Sequence, residues 1–231
     1  MVPDSTGRRI GLFGGTFDPV HNGHLAVAEA AAAALALDLL IFMPAAIPPH
    51  KDSPSSLDHR LAMLRLAVAD NPLYTVSDLE ARRAGPSYTV VTLTELRRQF
   101  GREKDFFFIM GADAFAEIST WKEYDRLLDY ASLVVAHRPA EAAMAELEEG
   151  VRRFFPQLAR EGAEVWRHPS GNRLLFLHLP PVPVSSTEVR KLAAAGDSLA
   201  GMIPAAVIRY IHDHRLYRTA PSSGAPARQN R

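Results

Sequence analysis

The feature that most constrains this fold is an alternation, sustained along most of the chain, of short apolar runs and amphipathic stretches. Residues 9–13, 39–43, 105–110, 133–136 and 174–179 read as strands, with 74–79 a further candidate. Helical patterns fall between them at 24–37, 57–69, 88–99 and 141–160, and two closing helices are expected at 187–195 and 204–214. The run Phe106-Phe107-Phe108-Ile109-Met110 has no polar member, as expected of a strand buried on both faces. Pro44 stops the second strand, residues 44–54 form a proline-rich loop, and Asn71-Pro72 breaks the helix before it. Ser87 is the expected N-cap of helix 88–99, with Val90, Leu93, Leu96 and Phe100 on one face and Gly101 at its close. Strands alternating with helices imply the α/β class, a doubly wound parallel sheet flanked by helices. Ligands of such sheets sit at the carboxyl ends of the strands where the strand order reverses. The residues to inspect therefore follow Phe13, Met43, Met110 and Ala136.

Composition removes several function classes. The 231 residues suit one domain, expected over 1–218 with a C-terminal helical part at about 187–218; residues 219–231, rich in Pro, Ser, Gly and Ala, read as a disordered tail. Lys plus Arg number 26 and Asp plus Glu number 26, without the basic excess of a protein that mainly holds a nucleic-acid backbone. The absence of cysteine excludes disulfides, thiolate zinc sites and a thiol nucleophile. The apolar run that ends at Gly14-Gly15 is too short for a secretory signal, and no uncharged apolar stretch reaches the ~20 residues that span a bilayer. The expectation is a soluble, cytoplasmic protein. Its oligomeric state, monomer or homo-oligomer, is left open.

After the first strand comes Gly14-Gly15-Thr16-Phe17-Asp18-Pro19-Val20-His21-Asn22-Gly23-His24. Paired glycines let the backbone turn tightly and approach a ligand. Its amides and the Thr16 hydroxyl can cradle phosphate oxygens, and His21 and His24 stand at a helix start, where negative charge is favoured. A lone His-x-x-His is most often a pair of surface histidines, but this whole run placed after a strand is not. It resembles the signature of the HxGH nucleotidyltransferases, relatives of the class I aminoacyl-tRNA synthetases. The resemblance implies a Rossmann-like fold of nucleotidyltransferase type. It also implies that His21 and His24 bind a nucleoside triphosphate and stabilise the pentacovalent transition state, with Gly14, Gly15, Thr16 and Phe17 alongside them.

Near the other end stands Ser185-Ser186-Thr187-Glu188-Val189-Arg190. By itself it is an N-cap followed by a helix, yet hydroxyls, free amides and an arginine one turn in also suit a polyphosphate. The segment resembles the second signature of the same superfamily, which implies that Ser186, Thr187 and Arg190 hold the β- and γ-phosphates of ATP. No Lys-Met-Ser-Lys-Ser loop is present, which counts against a tRNA synthetase.

Three further segments resemble the bacterial nicotinate mononucleotide adenylyltransferases, a likeness that runs from about Ile10 to Arg218 and is loose between Ala140 and Arg173. Ile47-Pro48-Pro49-His50-Lys51 puts two potential cations, His50 and Lys51, near the phosphates. Gly85-Pro86-Ser87-Tyr88-Thr89 offers helix-start amides at Tyr88 and Thr89 as a hole for a pyridine carboxylate. Gly111-Ala112-Asp113, followed by Thr120-Trp121, offers Asp113 to ribose hydroxyls and the Trp121 face to the pyridine ring. Read singly, Tyr88 and Trp121 are core or rim aromatics, Asp113 caps a helix, Lys51 is a solvated loop charge and Arg138 pairs with an acid; the resemblance assigns them to the acceptor or nucleotide instead. The implied reaction moves AMP from ATP to nicotinate mononucleotide, with Mg²⁺ held mainly by the ATP phosphates, no dedicated carboxylate cluster for it, and Asp18 in a supporting role. Nicotinamide mononucleotide or phosphopantetheine as acceptor, or a nucleotide-binding module without turnover, are the alternatives.

Overall fold

The computed structural model describes residues 8–47, 55–83, 85–101, 103–137, 141–179 and 182–218. His50, Lys51, Arg138 and the expected tail lie outside them. In chain order the elements are β1 (Arg9–Gly15), α1 (Asn22–Leu35), β2 (Leu39–Pro44), α2 (Leu57–Val68), β3 (Tyr74–Val76), α3 (Thr89–Phe100), β4 (Asp105–Gly111), α4 (Ala112–Ala116), α5 (Leu127–Tyr130), β5 (Ser132–His137), α6 (Glu141–Phe154), β6 (Ala159–Arg160), β7 (Val165–Arg167), β8 (Arg173–His178), α7 (Ser186–Ala195) and α8 (Ala205–Asp213). The strands of the described residues join one sheet in the order β3-β2-β1-β4-β5-β8-β7-β6. From β1 the chain builds outward to β2 and β3, then returns to place β4 on the other side of β1. The strand order therefore reverses between β1 and β4.

The apolar runs are continuous because each strand feeds two cores. Ile10 and Leu12 of β1, Leu39, Ile41 and Met43 of β2, Phe106, Phe108 and Met110 of β4, and Leu133 and Val135 of β5 pack against α3 to α6. Their alternate neighbours, Phe13, Leu40, Phe42, Phe107, Ile109 and Val134, pack on the opposite face with α1, α2, α7 and α8. The two-residue side-chain period of a strand divides one run between two helical layers.

The sheet departs from the all-parallel expectation at one edge. β3, β2, β1, β4, β5 and β8 are parallel, whereas β7 runs antiparallel to both β8 and β6. The cause is connection length: residues 168–172 link β7 to β8, closed by the His168 amide donating to the Asn172 carbonyl at 2.9 Å. A parallel return needs about a dozen residues or more. The helix expected over 141–160 ends at Phe154, because Phe155 precedes Pro156 and a residue before proline is pushed out of the helical region. The candidate strand 74–79 stops at Val76; the Ser77 hydroxyl accepts the Leu79 amide at 3.2 Å and starts a 3₁₀ turn, Leu79–Arg82. The N-cap of α3 is Tyr88 and not Ser87. The Ser87 hydroxyl is occupied across the chain by the amides of Ala46 and Ile47, at 2.9 and 3.2 Å.

Candidate active site

At the start of α1, His21 and His24 form a reciprocal pair. The His24 amide donates to His21 Nδ1 at 3.3 Å and the His21 amide to His24 Nδ1 at 3.2 Å, the arrangement of a capping box with imidazoles in place of hydroxyl and carboxylate. The rings stack with centroids 3.6 Å apart. Because each Nδ1 accepts an N–H, a neutral ring carries its proton on Nε2. Gly23 leaves room beside the stack: a methyl group there would crowd His21 Nδ1 at 3.0 Å and Val184 Cγ1 at 3.2 Å.

The second motif docks directly on the first. The Ser186 hydroxyl donates to the Pro19 carbonyl at 2.9 Å, and the Arg190 guanidinium donates to the Asp18 carbonyl at 2.7 Å and to the Thr187 hydroxyl at 3.3 Å. Ser185 is the N-cap of α7, its hydroxyl accepting the Glu188 amide at 3.2 Å. Segments 167 and 172 residues apart in sequence thus form one cluster of two imidazoles, adjacent hydroxyls and a guanidinium.

Beside it, at the carboxyl ends of β1, β2 and β4, lies a cleft of about 170 Å³. Gly14, Gly15 and Thr16 form one wall, Met110 and Gly111 another, and Tyr88, Thr89 and Trp121 reach in from the α3 side. This is the position that the reversal of strand order specifies. Trp121 stands edge-to-face on Phe108 with centroids 6.1 Å apart, which fixes its plane. Phe17 is buried between Phe13, Phe42 and His24, so only its backbone is available to a ligand. Asp113 is exposed on the first turn of α4 with its carboxylate folded toward Gly111; the helix begins at Ala112, before it. The expected pair of free amides is corrected to one side: the Tyr88 amide is taken by the Pro86 carbonyl at 3.0 Å, because residues 86–88 close a tight turn. The amides of Thr89 and Val90, first in α3, are the ones a helix leaves without an internal acceptor, and the N-cap residue Tyr88 makes no side-chain bond to cap them.

The sequence of the cytidylyltransferase-like family matches residues 12–192. A protein of Syntrophotalea carbinolica named probable nicotinate-nucleotide adenylyltransferase is 40% identical over 223 residues, covering 93% of this chain and 100% of its own. One of the same name from Thermus thermophilus is 44% identical over 210 residues, covering 91% and 100%. This chain belongs to the nicotinate-nucleotide adenylyltransferase family. A solved structure of similar fold is the Plasmodium falciparum nicotinic acid mononucleotide adenylyltransferase complexed with NaAD, with TM-score 0.69 at 18% identity, covering 91% of this chain and 97% of that one. The same protein complexed with APC gives a TM-score of 0.64.

Asp18, given a supporting role from the sequence, and several residues that sequence reasoning passed over brace these segments. Asp18 is buried, accepts the Tyr217 hydroxyl at 2.6 Å and the Ser55 amide at 3.2 Å, and so ties the loop after β1 to the far end of the chain. Burial, and then the bond to Asp18, pushes the Tyr217 hydroxyl above its ordinary range, which keeps it a donor. On the α3 side of the cleft the Thr92 hydroxyl donates to Glu80 at 2.7 Å and accepts from Arg83 at 3.3 Å; Glu80 and Thr92 both line the cleft. The pattern offered no signal for Tyr217, Glu80, Arg83 or Thr92, since each is an ordinary polar residue until the fold brings its partner. Among the described residues no three His, Asp or Glu side chains are grouped to hold a metal ion, and no helix is long and apolar enough to cross a membrane.

Proposed function

We propose that this member of the family transfers the adenylyl group of ATP to the phosphate of nicotinate mononucleotide, giving nicotinate adenine dinucleotide and pyrophosphate. The observation that carries the reading is the docking of Ser186 and Arg190 on the carbonyls of Pro19 and Asp18, which joins the two signature segments into one phosphate-binding cluster beside a cleft with a helix start and a tryptophan. An oxygen of the acceptor phosphate bonds to the α-phosphorus in line, the bond from that phosphorus to the β-bridging oxygen breaks, and pyrophosphate leaves with the electron pair. A phosphate is already anionic, so no general base is needed; the task is to bring two anions together and balance the charge that develops. Nε2–H of His21 and His24, the Arg190 guanidinium, and the hydroxyls of Ser186 and Thr187 supply donors on the ATP side. Gly14, Gly15, Thr16, the Phe17 backbone, Gly111 and Asp113 line the path of the nucleotide. Tyr88, Thr89 and Trp121 take the pyridine, and His50, Lys51 and Arg138 add cations from segments beyond the described residues. ATP arrives as its Mg²⁺ complex, the ion carried by the phosphates. The same reading places the reaction in the cytoplasm with no nucleic-acid partner. Pyrophosphate release, followed with ATP, Mg²⁺ and a panel of acceptors, tests it. Nicotinate mononucleotide should react fastest; faster turnover of phosphopantetheine, or none with any acceptor, would sink it.

A further inference from the structure

Arg60 belongs to neither signature, yet it heads the fully buried side chains of the described residues at 2% exposure. It sits in the first turns of α2, where the pattern Leu57-Asp58-His59-Arg60-Leu61 would put a solvated charge. One terminal nitrogen donates to the carbonyls of Thr16 at 2.9 Å and Ala45 at 2.8 Å, and the other to Ala46 at 3.4 Å. Its Nε finds no acceptor among the described residues. Burial weakens its hold on the proton and the nearby Asp18 offsets part of that; a guanidinium stays charged through such shifts. A buried charge is expensive, and apolar side chains of similar volume commonly replace one without loss of stability. Its presence beneath the loop after β1 therefore calls for a role other than packing.

The peptide geometry supplies one. Asp18-Pro19 is the only cis bond among the described residues, so the Thr16-Phe17, Ala45-Ala46 and Ala46-Ile47 peptides are trans. In a trans peptide the N–H points opposite to the C=O. Carbonyls drawn inward by Arg60 must turn the next amides outward. For Ala46 and Ile47 the result is visible, since both amides reach the Ser87 hydroxyl at the start of α3. For Phe17 the same geometry turns the amide away from Arg60, with no acceptor for it among the described residues. Phe17 has a φ of 52°, the left-handed setting found in backbone nests that bind anions, and the preceding Thr16 lines the cleft.

We propose that Arg60 is a positioning residue for phosphate binding. It clamps the carbonyls of both loops so that the Phe17 amide is presented to a phosphate of ATP, and its buried charge adds to the positive potential there. The inference rests on the adenylyl-transfer reading, but its test reads binding separately from turnover. Arg60→Met removes the donors and charge at similar volume. Arg60→Lys keeps the charge but, with one nitrogen on a shorter side chain, loses the fork that reaches the Ala46 carbonyl while also holding those of Thr16 and Ala45. Calorimetric titration with ATP and with adenosine is compared in each, alongside kcat, KM for both substrates, and circular dichroism to confirm folding. Arg60→Met should weaken ATP binding at least ~10-fold and lower kcat by roughly 10²-fold, as for loss of a preorganised donor, while adenosine binding stays within about twofold. Arg60→Lys should retain more ATP affinity than Arg60→Met but recover little of kcat. A folded Arg60→Met with wild-type ATP binding and kcat would overturn the proposal, as would equal losses for ATP and adenosine, which mark a collapsed loop. If Arg60→Met does not fold, wild-type kcat in Arg60→Lys overturns it instead. Failure of the wild type to turn over any acceptor would count against the reaction and leave the ATP-against-adenosine comparison standing.

Discussion

The two ends of this site are built differently. On the side proposed for the triphosphate, the segments are cross-tied by partly buried polar contacts: His21 with His24, Ser186 and Arg190 with the loop after β1, Tyr217 with Asp18, and Arg60 with the carbonyls beneath. On the side proposed for the acceptor, the hydroxyl of Ser87 joins the loop after β2 to the start of α3, and the Glu80, Thr92 and Arg83 chain braces the first turns of that helix. On the proposed reaction, the first arrangement fixes donors where charge builds up in the transition state. The second leaves a cleft walled by Tyr88, Thr89 and Trp121 that a ring can enter. Rate and ATP binding should therefore respond to the first region, and acceptor choice to the second.

The largest effect is expected from His24→Ala, which should lower kcat by ~10²–10³-fold with a smaller change in ATP affinity, since a donor aimed at developing charge affects the rate most. His21→Ala should behave alike. Steady-state kinetics with both substrates varied checks this; near wild-type turnover in folded variants would move catalysis away from the stacked pair.

Next, Arg190→Ala should weaken ATP by roughly 10-fold or more, because a charge-assisted contact is lost, while the acceptor is affected less. Separate calorimetric titrations of the two ligands decide it. Arg190 also donates to the Asp18 carbonyl, so an equal loss for both ligands would mean that its part is to hold the loop and not the phosphate.

Tyr217→Phe removes the hydroxyl that donates to the buried Asp18 carboxylate. Thermal or denaturant unfolding should show a loss of about 1–3 kcal/mol, and ATP should bind more weakly than acceptor. Unchanged stability would mean that the far end of the chain does not brace the loop.

The smallest effect concerns Thr92. Thr92→Val should raise KM for the acceptor several-fold, with kcat and KM for ATP nearly unchanged, and Thr92→Ser should restore it, because an uncompensated buried hydrogen bond costs on the order of 1 kcal/mol. A change in kcat alone would place this chain on the wrong side of the comparison.

The triphosphate side was the more legible in sequence. Gly14 to His24 and Ser185 to Arg190 are contiguous runs, and each residue type carries its chemistry locally. The sheet was legible for the same reason: five apolar runs split between two cores must lie between two helical layers. What stayed hidden depends on contacts across the chain. Arg60 looks like one more surface charge on a helix, and only its burial under two loops reveals it. Ser87 has the residue type of an N-cap but serves the loop after β2, which left Tyr88 to start α3. β6 and β7 are two and three residues long, too short to leave a periodic pattern, and they are set by pairing with β8.

The division of labour is tested most directly by the ratio of kcat/KM for nicotinate mononucleotide over nicotinamide mononucleotide, measured in the wild type and in His24→Ala. The start of α3 favours an anion, and an amide would set its own N–H groups against those donors. The ratio should be at least ~10 in the wild type, equivalent to about 1.4 kcal/mol, and should persist in His24→Ala although both rates fall. It should also persist in Trp121→Ala, where the ring stacks less well whichever substituent it carries. Equal efficiencies in the wild type would remove the carboxylate hole, and a ratio that collapses in His24→Ala would contradict the separation of the two regions.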